Sequence, residues 1–178
     1  DALSGVARGE MYYRRNAGET LTLGYSASRV VDRTNASLGL LIAFQDLTEF
    51  KALEEQLQRA DLVIAATTAR SPLFDSSLLK DSVIVVAVGS HEPDVREVDS
   101  KLLGRAQIVV ETRASALREA GDVIMAIGEG SITEKSLNDL ADVVCGRVSL
   151  NREKPIFFKS SGMSWEDLVI ARAIERTL

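Results

Sequence analysis

The amino-acid sequence predicts an α/β protein with a mixed sheet, antiparallel on its N-terminal side and parallel on its C-terminal side. Between residues 10 and 45, apolar and polar residues alternate in short segments separated by turn-forming residues, as in an antiparallel meander. From residue 62 onward, uninterrupted apolar runs typical of strands buried on both faces recur, with helical stretches between some of them. The change of periodicity near Asp61 predicts two half domains, residues 1–60 and residues 61–178.

The length, charge and cysteine content of the chain limit the classes of protein to which it can belong. The chain has 178 residues, of which 46% are hydrophobic, and this is enough to bury a core. A formal net charge of −5, without a long basic stripe, argues against nucleic acid as a partner. Cys145 is the single cysteine, so there is no disulfide framework, and the longest strongly apolar run, Val83–Val88, is too short to span a bilayer. We therefore expect a cytoplasmic protein that binds no membrane.

The N-terminal half is predicted to form three strands followed by a helix. Strands are expected at residues 11–15, 20–26 and 38–44, with turns at 16–19 and 32–36.

The helix is predicted over residues 46–60, because its apolar residues recur at the spacing of one helix face. This face could form a parallel coiled coil in a dimer, but it has too few heptads, so packing on the sheet is favoured. With the strands at 38–44 and 62–66, the helix has the layout of a right-handed βαβ unit, which would join both halves in one sheet. The apolar residues of the face are Phe50, Leu53, Leu57 and Ala60.

The C-terminal half is predicted to contain the strands and helices of a parallel sheet. The runs that predict strands are residues 62–66, 83–88, 107–110 and 122–127. The stretches that predict helices are residues 93–105, 114–120, 133–144 and 165–176.

Residues 10–60 resemble the second half of a PAS sensory domain of bacterial sensor histidine kinases. The resemblance is carried by residues 23–28 (LGYSAS), the last strand, and residues 45–49 (QDLTE) with the helix that follows. It implies that Asp46 and Thr48 tie the sheet to an outgoing signalling helix.

Residues 60–178 resemble the C-terminal part of the ornithine cyclodeaminase/mu-crystallin family. The motifs are residues 65–72 (AATTARSP), 87–99 (AVGSHEPDVREVD), 130–134 (GSITE) and 158–162 (FKSSG). The resemblance implies a Rossmann-like half domain whose strand-end turns face an NAD(P) cofactor. The positions that inherit this role are Thr67, Thr68, Val88, Gly89 and Ser161.

Together the two resemblances suggest a chimera. The family's glycine-rich phosphate loop and its substrate-binding Arg and Lys lie upstream of the matched segment, where the PAS-like piece stands. The leading hypothesis is therefore a non-catalytic α/β chimera with at most weak NAD(P) binding. One alternative is an NAD(P)-dependent enzyme of the ornithine cyclodeaminase or imine-reductase type, and another is a PAS-like sensory or dimerisation module. Exposed strand edges predict a homodimer, in which strands or helices could be exchanged.

His91 is the weak candidate for a catalytic residue. Some members of the cyclodeaminase family carry a catalytic acid in this turn, where the present sequence has Ser90 and His91. Carboxylates nearby suggest either a metal site or proton transfer. A single imidazole is a poor set of metal ligands, so no metal site is expected. The nearby carboxylates also fit the acidic first turn of an ordinary helix.

Two further motifs have structural explanations. Residues 128–133 (GEGSIT) could form a dinucleotide loop, but a capping box formed by Ser131 and Glu134 explains them better. Cys145 precedes Gly146 at a predicted helix end, and a buried structural thiol is favoured over a nucleophile.

Overall fold

The computed structural model describes residues 7–15, 20–31 and 34–176. The chain divides into two units, residues 1–56 and 57–178. The turn predicted at 16–19 and part of the turn predicted at 32–36 lie outside the described residues. No helix within the described ranges is long and apolar enough to cross a membrane.

The first unit contains an antiparallel sheet of three strands in the order β1-β2-β3. Strand β1 is Ala7–Arg14, β2 is Thr20–Val31 and β3 is Ser37–Asp46. Each strand is longer than predicted, and the antiparallel meander is confirmed.

Asp46 and Thr48 join this sheet to helix α1, Thr48–Arg59. Oδ1 of Asp46 accepts hydrogen bonds from the Thr48 hydroxyl (2.6 Å) and backbone amide (2.9 Å), and these bonds lower the pKa of the carboxyl. The Thr48 hydroxyl oxygen accepts a further bond from the backbone amide of Thr22 in β2 (3.0 Å). The predicted link between sheet and helix is therefore present, whereas its signalling role stays a prediction.

The second unit is built on a parallel sheet of five strands in the order β4-β5-β8-β6-β7. The strands are β4 Leu62–Ala65, β5 Ile84–Ala87, β6 Gln107–Val110, β7 Leu137–Asp139 and β8 Ile156–Lys159. The helices are α2 Ser100–Arg105, α3 Arg113–Glu119, α4 Gly121–Gly128, α5 Leu140–Val144 and α6 Ser164–Glu175. Fully buried members of the core include Val85, Leu102, Ile108, Val123 and Phe157.

The prediction of one mixed sheet is wrong, because the antiparallel and parallel strands form two separate sheets. Among the described residues, β3 pairs with β2 and β4 pairs with β5, so helix α1 connects two sheets. A strand-helix-strand pattern defines the order of elements along the chain but not which strands become neighbours.

The strand predicted at residues 122–127 is also wrong, because this segment forms helix α4. Val123 and Ala126, three residues apart, are buried, whereas Ile124 and Met125 between them are half-buried. This is the burial pattern of a helix face, and a short apolar run alone cannot distinguish it from a buried strand. Strands β7 and β8, which the apolar runs did not predict, complete the sheet instead.

Two predicted helices are shorter than expected. The helix predicted at 93–105 begins only at Ser100, where the Asp99 carboxylate caps it by accepting a hydrogen bond from the backbone amide of Leu102 (3.0 Å). The stretch at 133–144 contains a 3-10 turn, strand β7 and helix α5. Helices α3 and α6 agree with their predictions to within one residue at each end.

Helix α1 buries only part of its predicted apolar face. Leu57 is 8% exposed and belongs to the core of the second unit, as predicted. Phe50 and Leu53 are 58% and 50% exposed, so the prediction that they pack on a sheet is wrong.

The prediction of a buried thiol is wrong as well, because the Cys145 side chain is exposed. Cys145 follows helix α5, and Gly146 after it has a φ of 71°, the left-handed conformation that commonly ends a helix. The sequence pattern identified the helix end but not which side of the helix faces solvent.

Candidate functional site

Four of the five residues predicted to face a cofactor lie together at the carboxyl edge of the parallel sheet. Thr67 and Thr68 follow β4, while Val88 and Gly89 follow the neighbouring strand β5. These four residues line an open depression of about 590 Å³. Ser161 follows β8, the next strand along the same edge. Open α/β sheets bind ligands at this edge, and the role of the five residues toward a cofactor stays a prediction.

Glu97 joins the turns after β4 and β5, although the sequence suggested for it either a carboxylate beside His91 or a place in an acidic helix start. Its side chain is completely buried. Oε1 accepts hydrogen bonds from the Thr67 backbone amide (2.7 Å) and hydroxyl (2.9 Å). Oε2 accepts hydrogen bonds from the backbone amides of Gly89 (2.7 Å) and Ser90 (3.3 Å). One carboxylate therefore fixes the positions of two turns from neighbouring strands.

The charge state of Glu97 follows from two opposed effects. Burial raises the pKa of its carboxyl, but the hydrogen bonds from Thr67, Gly89 and Ser90 outweigh burial and leave the pKa below the ordinary value of 4.5. Glu97 is therefore an anion at neutral pH. The available signal in the sequence was a pair of turns whose backbone amides need an acceptor, followed by an acidic residue within reach.

Gly89 permits the close approach of these two turns. A Cβ atom at this position would lie 2.1 Å from the Thr67 carbonyl oxygen and 2.5 Å from Glu97 Oε1. Because the nearest of these atoms belongs to the backbone of an adjacent strand end, it cannot move aside as a flexible side chain could. The residue without a side chain is therefore required here by packing.

A second carboxylate organises the next strand end. Glu111 follows β6, and its Oε1 accepts a hydrogen bond from the Ser160 hydroxyl (2.5 Å). Its Oε2 accepts a hydrogen bond from the Ser161 backbone amide (3.2 Å). Sequence reasoning did not identify Glu111, whose bond to Ser161 connects strands that are distant in sequence.

His91 lies at the same edge of the sheet. It is exposed, and it shares a small cavity of about 70 Å³ with Thr67 and Arg70. The exposed guanidinium of Arg70 is paired with Glu92 (3.5 Å) and Asp94 (3.4 Å). Within residues 7–15, 20–31 and 34–176, no three His, Cys, Asp or Glu side chains form a group that could hold a metal ion.

The GEGSIT segment at residues 128–133 begins at the end of helix α4, not after a strand, and so lacks the context of a dinucleotide loop. The capping box predicted for Ser131 and Glu134 is wrong, because the box at the start of the 3-10 turn Glu134–Ser136 is formed by Thr133 and Ser136. The cap is Thr133, whose backbone amide donates a hydrogen bond to the Ser136 hydroxyl (3.2 Å).

A parallel sheet whose polar turns surround an open depression at the carboxyl edge defines the second unit as a Rossmann-like α/β fold. The chain belongs to the ornithine cyclodeaminase/mu-crystallin family, whose model matches residues 43–178. The family resemblance stated for the C-terminal part is therefore confirmed.

Three known proteins show how far the similarity extends. Ketimine reductase mu-crystallin of Mus musculus is 34% identical over 129 residues, which are 72% of this chain and 39% of that protein. The iminosuccinate reductase of Paracoccus denitrificans, solved in complex with NAD+, is 27% identical with a TM-score of 0.62, over 68% of this chain and 38% of that one. The Delta(1)-pyrroline-2-carboxylate reductase of Thermococcus litoralis, solved with NADH and L-proline, is similar in fold at 18% identity, with a TM-score of 0.64 over 99% of this chain and 87% of that one. The present chain spans about two fifths of the length of the mouse protein.

These similarities overturn the hypothesis of a non-catalytic chimera. Two of the three proteins, at 34% and 27% identity, are reductases of imines, which favours the enzyme alternative. The family match begins at residue 43 and so includes the end of β3 and all of α1, the segment interpreted as the PAS signalling junction. The fold similarity to the Thermococcus litoralis protein extends over 99% of the chain. A PAS origin of the first unit is therefore unsupported.

Proposed function

We propose that this chain carries the cofactor-facing edge of an NAD(P)H-dependent reductase that acts on carboxylate-bearing imines. The proposal is carried by one observation: the Glu97 carboxylate accepts hydrogen bonds from both the Thr67 and the Gly89 backbone amides. These bonds hold the turns after β4 and β5 together as one preorganised surface. The ketimine and iminosuccinate reductases named above support the class of reaction.

The residues at this edge fit a dinucleotide. The depression of about 590 Å³ lies within the range of small-molecule sites, about 300–1,000 Å³. Gly89 lines the depression, and the exposed side chain of Val88 offers an apolar surface to a flat ring. The hydroxyl of Thr68 is suited to hydrogen bonding with ribose or phosphate oxygens, whereas the Thr67 hydroxyl already donates its proton to Glu97. Ser161, at the neighbouring strand end, would extend this polar lining.

The chemistry divides between the cofactor and the chain. When bound, the reduced nicotinamide supplies a hydride to the imine carbon. His91, in its protonated imidazolium form, donates a ring N–H proton to the imine nitrogen and becomes a neutral imidazole, so that the C=N bond becomes CH–NH. Arg70, whose exposed ion pairs with Glu92 and Asp94 are weak, pairs with the substrate carboxylate.

The test is titration of the purified chain with NADH and NADPH, followed by an assay for imine-dependent loss of reduced cofactor. We expect saturable binding with a Kd in the micromolar range; a Kd of about 1 μM corresponds to a binding free energy of about −8 kcal/mol. Val88→Asp should abolish binding without unfolding the chain, because it places an anion on the surface that receives the cofactor. Val144→Asp, at an exposed apolar position in the last turn of helix α5, is the control and should bind as the parent does. Absence of binding by the parent chain would contradict the proposal.

A further inference from the structure

A completely buried ion pair lies behind the edge described above. Lys159 Nζ, at the end of β8, is 3.2 Å from Asp122 Oδ2 in the first turn of α4, and neither side chain is exposed to solvent. In the described part of the chain, neither of these two atoms has a hydrogen-bond partner. Burying two charges costs more free energy than their attraction commonly returns, so stability is a weak reason for such a pair.

The other carboxylate oxygen of Asp122 holds the segment that carries Glu97. Oδ1 accepts hydrogen bonds from the backbone amides of Glu97 (2.8 Å) and Val98 (3.0 Å). Asp122 is therefore bound on one side by a lysine ammonium and on the other by two peptide groups. Oδ2 contacts the Lys159 ammonium and Oδ1 accepts from the two backbone amides, so the carboxylate cannot rotate without losing one of these sets of contacts.

Packing at the preceding residue supports the same arrangement independently. A Cβ atom on Gly121 would lie 2.0 Å from the Val95 carbonyl oxygen and 2.4 Å from that of Glu92. The start of helix α4 thus lies directly against residues 92–95, within the loop that leads from β5 to Glu97. Both backbone contact and side-chain contact therefore hold this loop on the first turn of α4.

We infer that Asp122 and Lys159 are positioning residues that hold Glu97 in place and, through it, the Thr67 and Gly89 turns. Lys159 orients the Asp122 carboxylate, Asp122 fixes the Glu97 peptide, and the Glu97 side chain fixes the two turns. The inference rests on the proposed function in one respect: the edge that is held is the edge assigned to NAD(P)H.

Two double variants separate positioning from general stability. Asp122→Asn with Lys159→Gln removes both charges but keeps a carbonyl acceptor for the two amides. Asp122→Leu with Lys159→Met also removes the charges and, in addition, removes the acceptor. Paired removal is chosen because deleting one partner would leave an uncompensated buried charge.

The first readout is backbone amide hydrogen exchange, which requires no cofactor. In Asp122→Leu with Lys159→Met, we expect the Thr67 and Gly89 amides to exchange at least about tenfold faster while the Val109 amide in β6 keeps its rate. The Asn and Gln variant should exchange as the parent does at all three positions. A merely structural role would accelerate all three amides together, and that result, or unchanged rates at Thr67 and Gly89, would overturn the inference.

The second readout is the affinity for NADH. It should weaken about tenfold in the Leu and Met variant and stay within about twofold of the parent in the Asn and Gln variant. Equal affinity in both variants would count against the inference. If the parent does not bind NADH while the exchange pattern is as expected, the proposed function fails and the positioning role stands. If the Leu and Met variant does not fold, Asp122→Ala with Lys159→Met removes the same acceptor with less bulk and is judged by the same exchange rates.

Discussion

The carboxylate of Glu97 and the backbone amide of Gly89 are joined by a hydrogen bond of 2.7 Å, although eight residues separate them in the chain. The same carboxylate also accepts from Thr67, thirty residues earlier. The loop that carries Glu97 is in this way attached to the ends of two neighbouring strands. Since binding energy is lost when a site must first be ordered, a carboxylate that orders the site in advance favours ligand binding.

Gly89→Ala should destabilise the second unit by about 1–3 kcal/mol, the usual cost of overpacking, because its methyl group would meet the Thr67 carbonyl oxygen at 2.1 Å. Gly128→Ala is the control, since a Cβ atom there would have no neighbour within 4 Å. That substitution lies at the end of helix α4 and should be neutral or stabilising by up to about 1 kcal/mol. Denaturant unfolding of both variants checks the difference, and equal midpoints would contradict the packing argument.

Glu97→Gln should cost about 1–3 kcal/mol at neutral pH, because an amide cannot accept all the hydrogen bonds that the carboxylate accepts. The pKa of Glu97 in the folded chain lies below its ordinary value of 4.5, so its contribution is present above that value. The contribution is lost as pH falls through the folded-state pKa. Melting temperatures measured from pH 7 to pH 3 should therefore converge for parent and variant in acid, and a difference independent of pH would count against this assignment.

His91→Asn should lower the turnover of an imine by about 10²–10⁴-fold, the usual contribution of a general acid, while leaving NADH affinity unchanged. His91 is exposed and lies in the small cavity beside Arg70, so its loss should not disturb the core. Steady-state kinetics and cofactor titration distinguish the two effects. Parent-like turnover would remove His91 from the mechanism.

The sequence allowed the strand ends at Thr67 and Gly89 to be predicted, because short motifs and apolar runs are local features. It did not predict that Glu97 bonds to Thr67 or that Asp122 bonds to Glu97, since these partners are thirty and twenty-five residues apart and depend on how the loop after β5 folds back. The pairing of β8 between β5 and β6 is likewise a long-range property. Apolar runs also misassigned residues 122–127, because burial on several sides gives a helix and a central strand the same composition.

Leu57→Ala should destabilise the second unit by about 2–5 kcal/mol, because Leu57 belongs to its buried core. Leu53→Ala, one turn earlier in helix α1 and exposed, should cost less than about 0.5 kcal/mol. Both substitutions replace leucine with alanine in helix α1, so they change the helix propensity equally and differ only in the burial of the side chain. Chemical denaturation of the two variants is the measurement, and comparable losses would mean that the second half of α1 is not anchored as described.

We propose that the protein forms a homodimer through its antiparallel sheet, because side chains of β3 are exposed. Leu40, Ile42 and Phe44 alternate along one face of this strand and are all exposed. In the described part of the chain, β3 pairs on one side only, with β2, so its other edge is open to pairing with a second chain, and the exposed apolar face beside it favours such association. Leu40→Lys should therefore shift the protein toward monomer in sedimentation velocity at micromolar concentration, because a charge on an edge strand opposes such pairing. Val144→Lys, at an exposed position in the second unit, should not shift it, and a parent chain that sediments only as monomer would rule the dimer out.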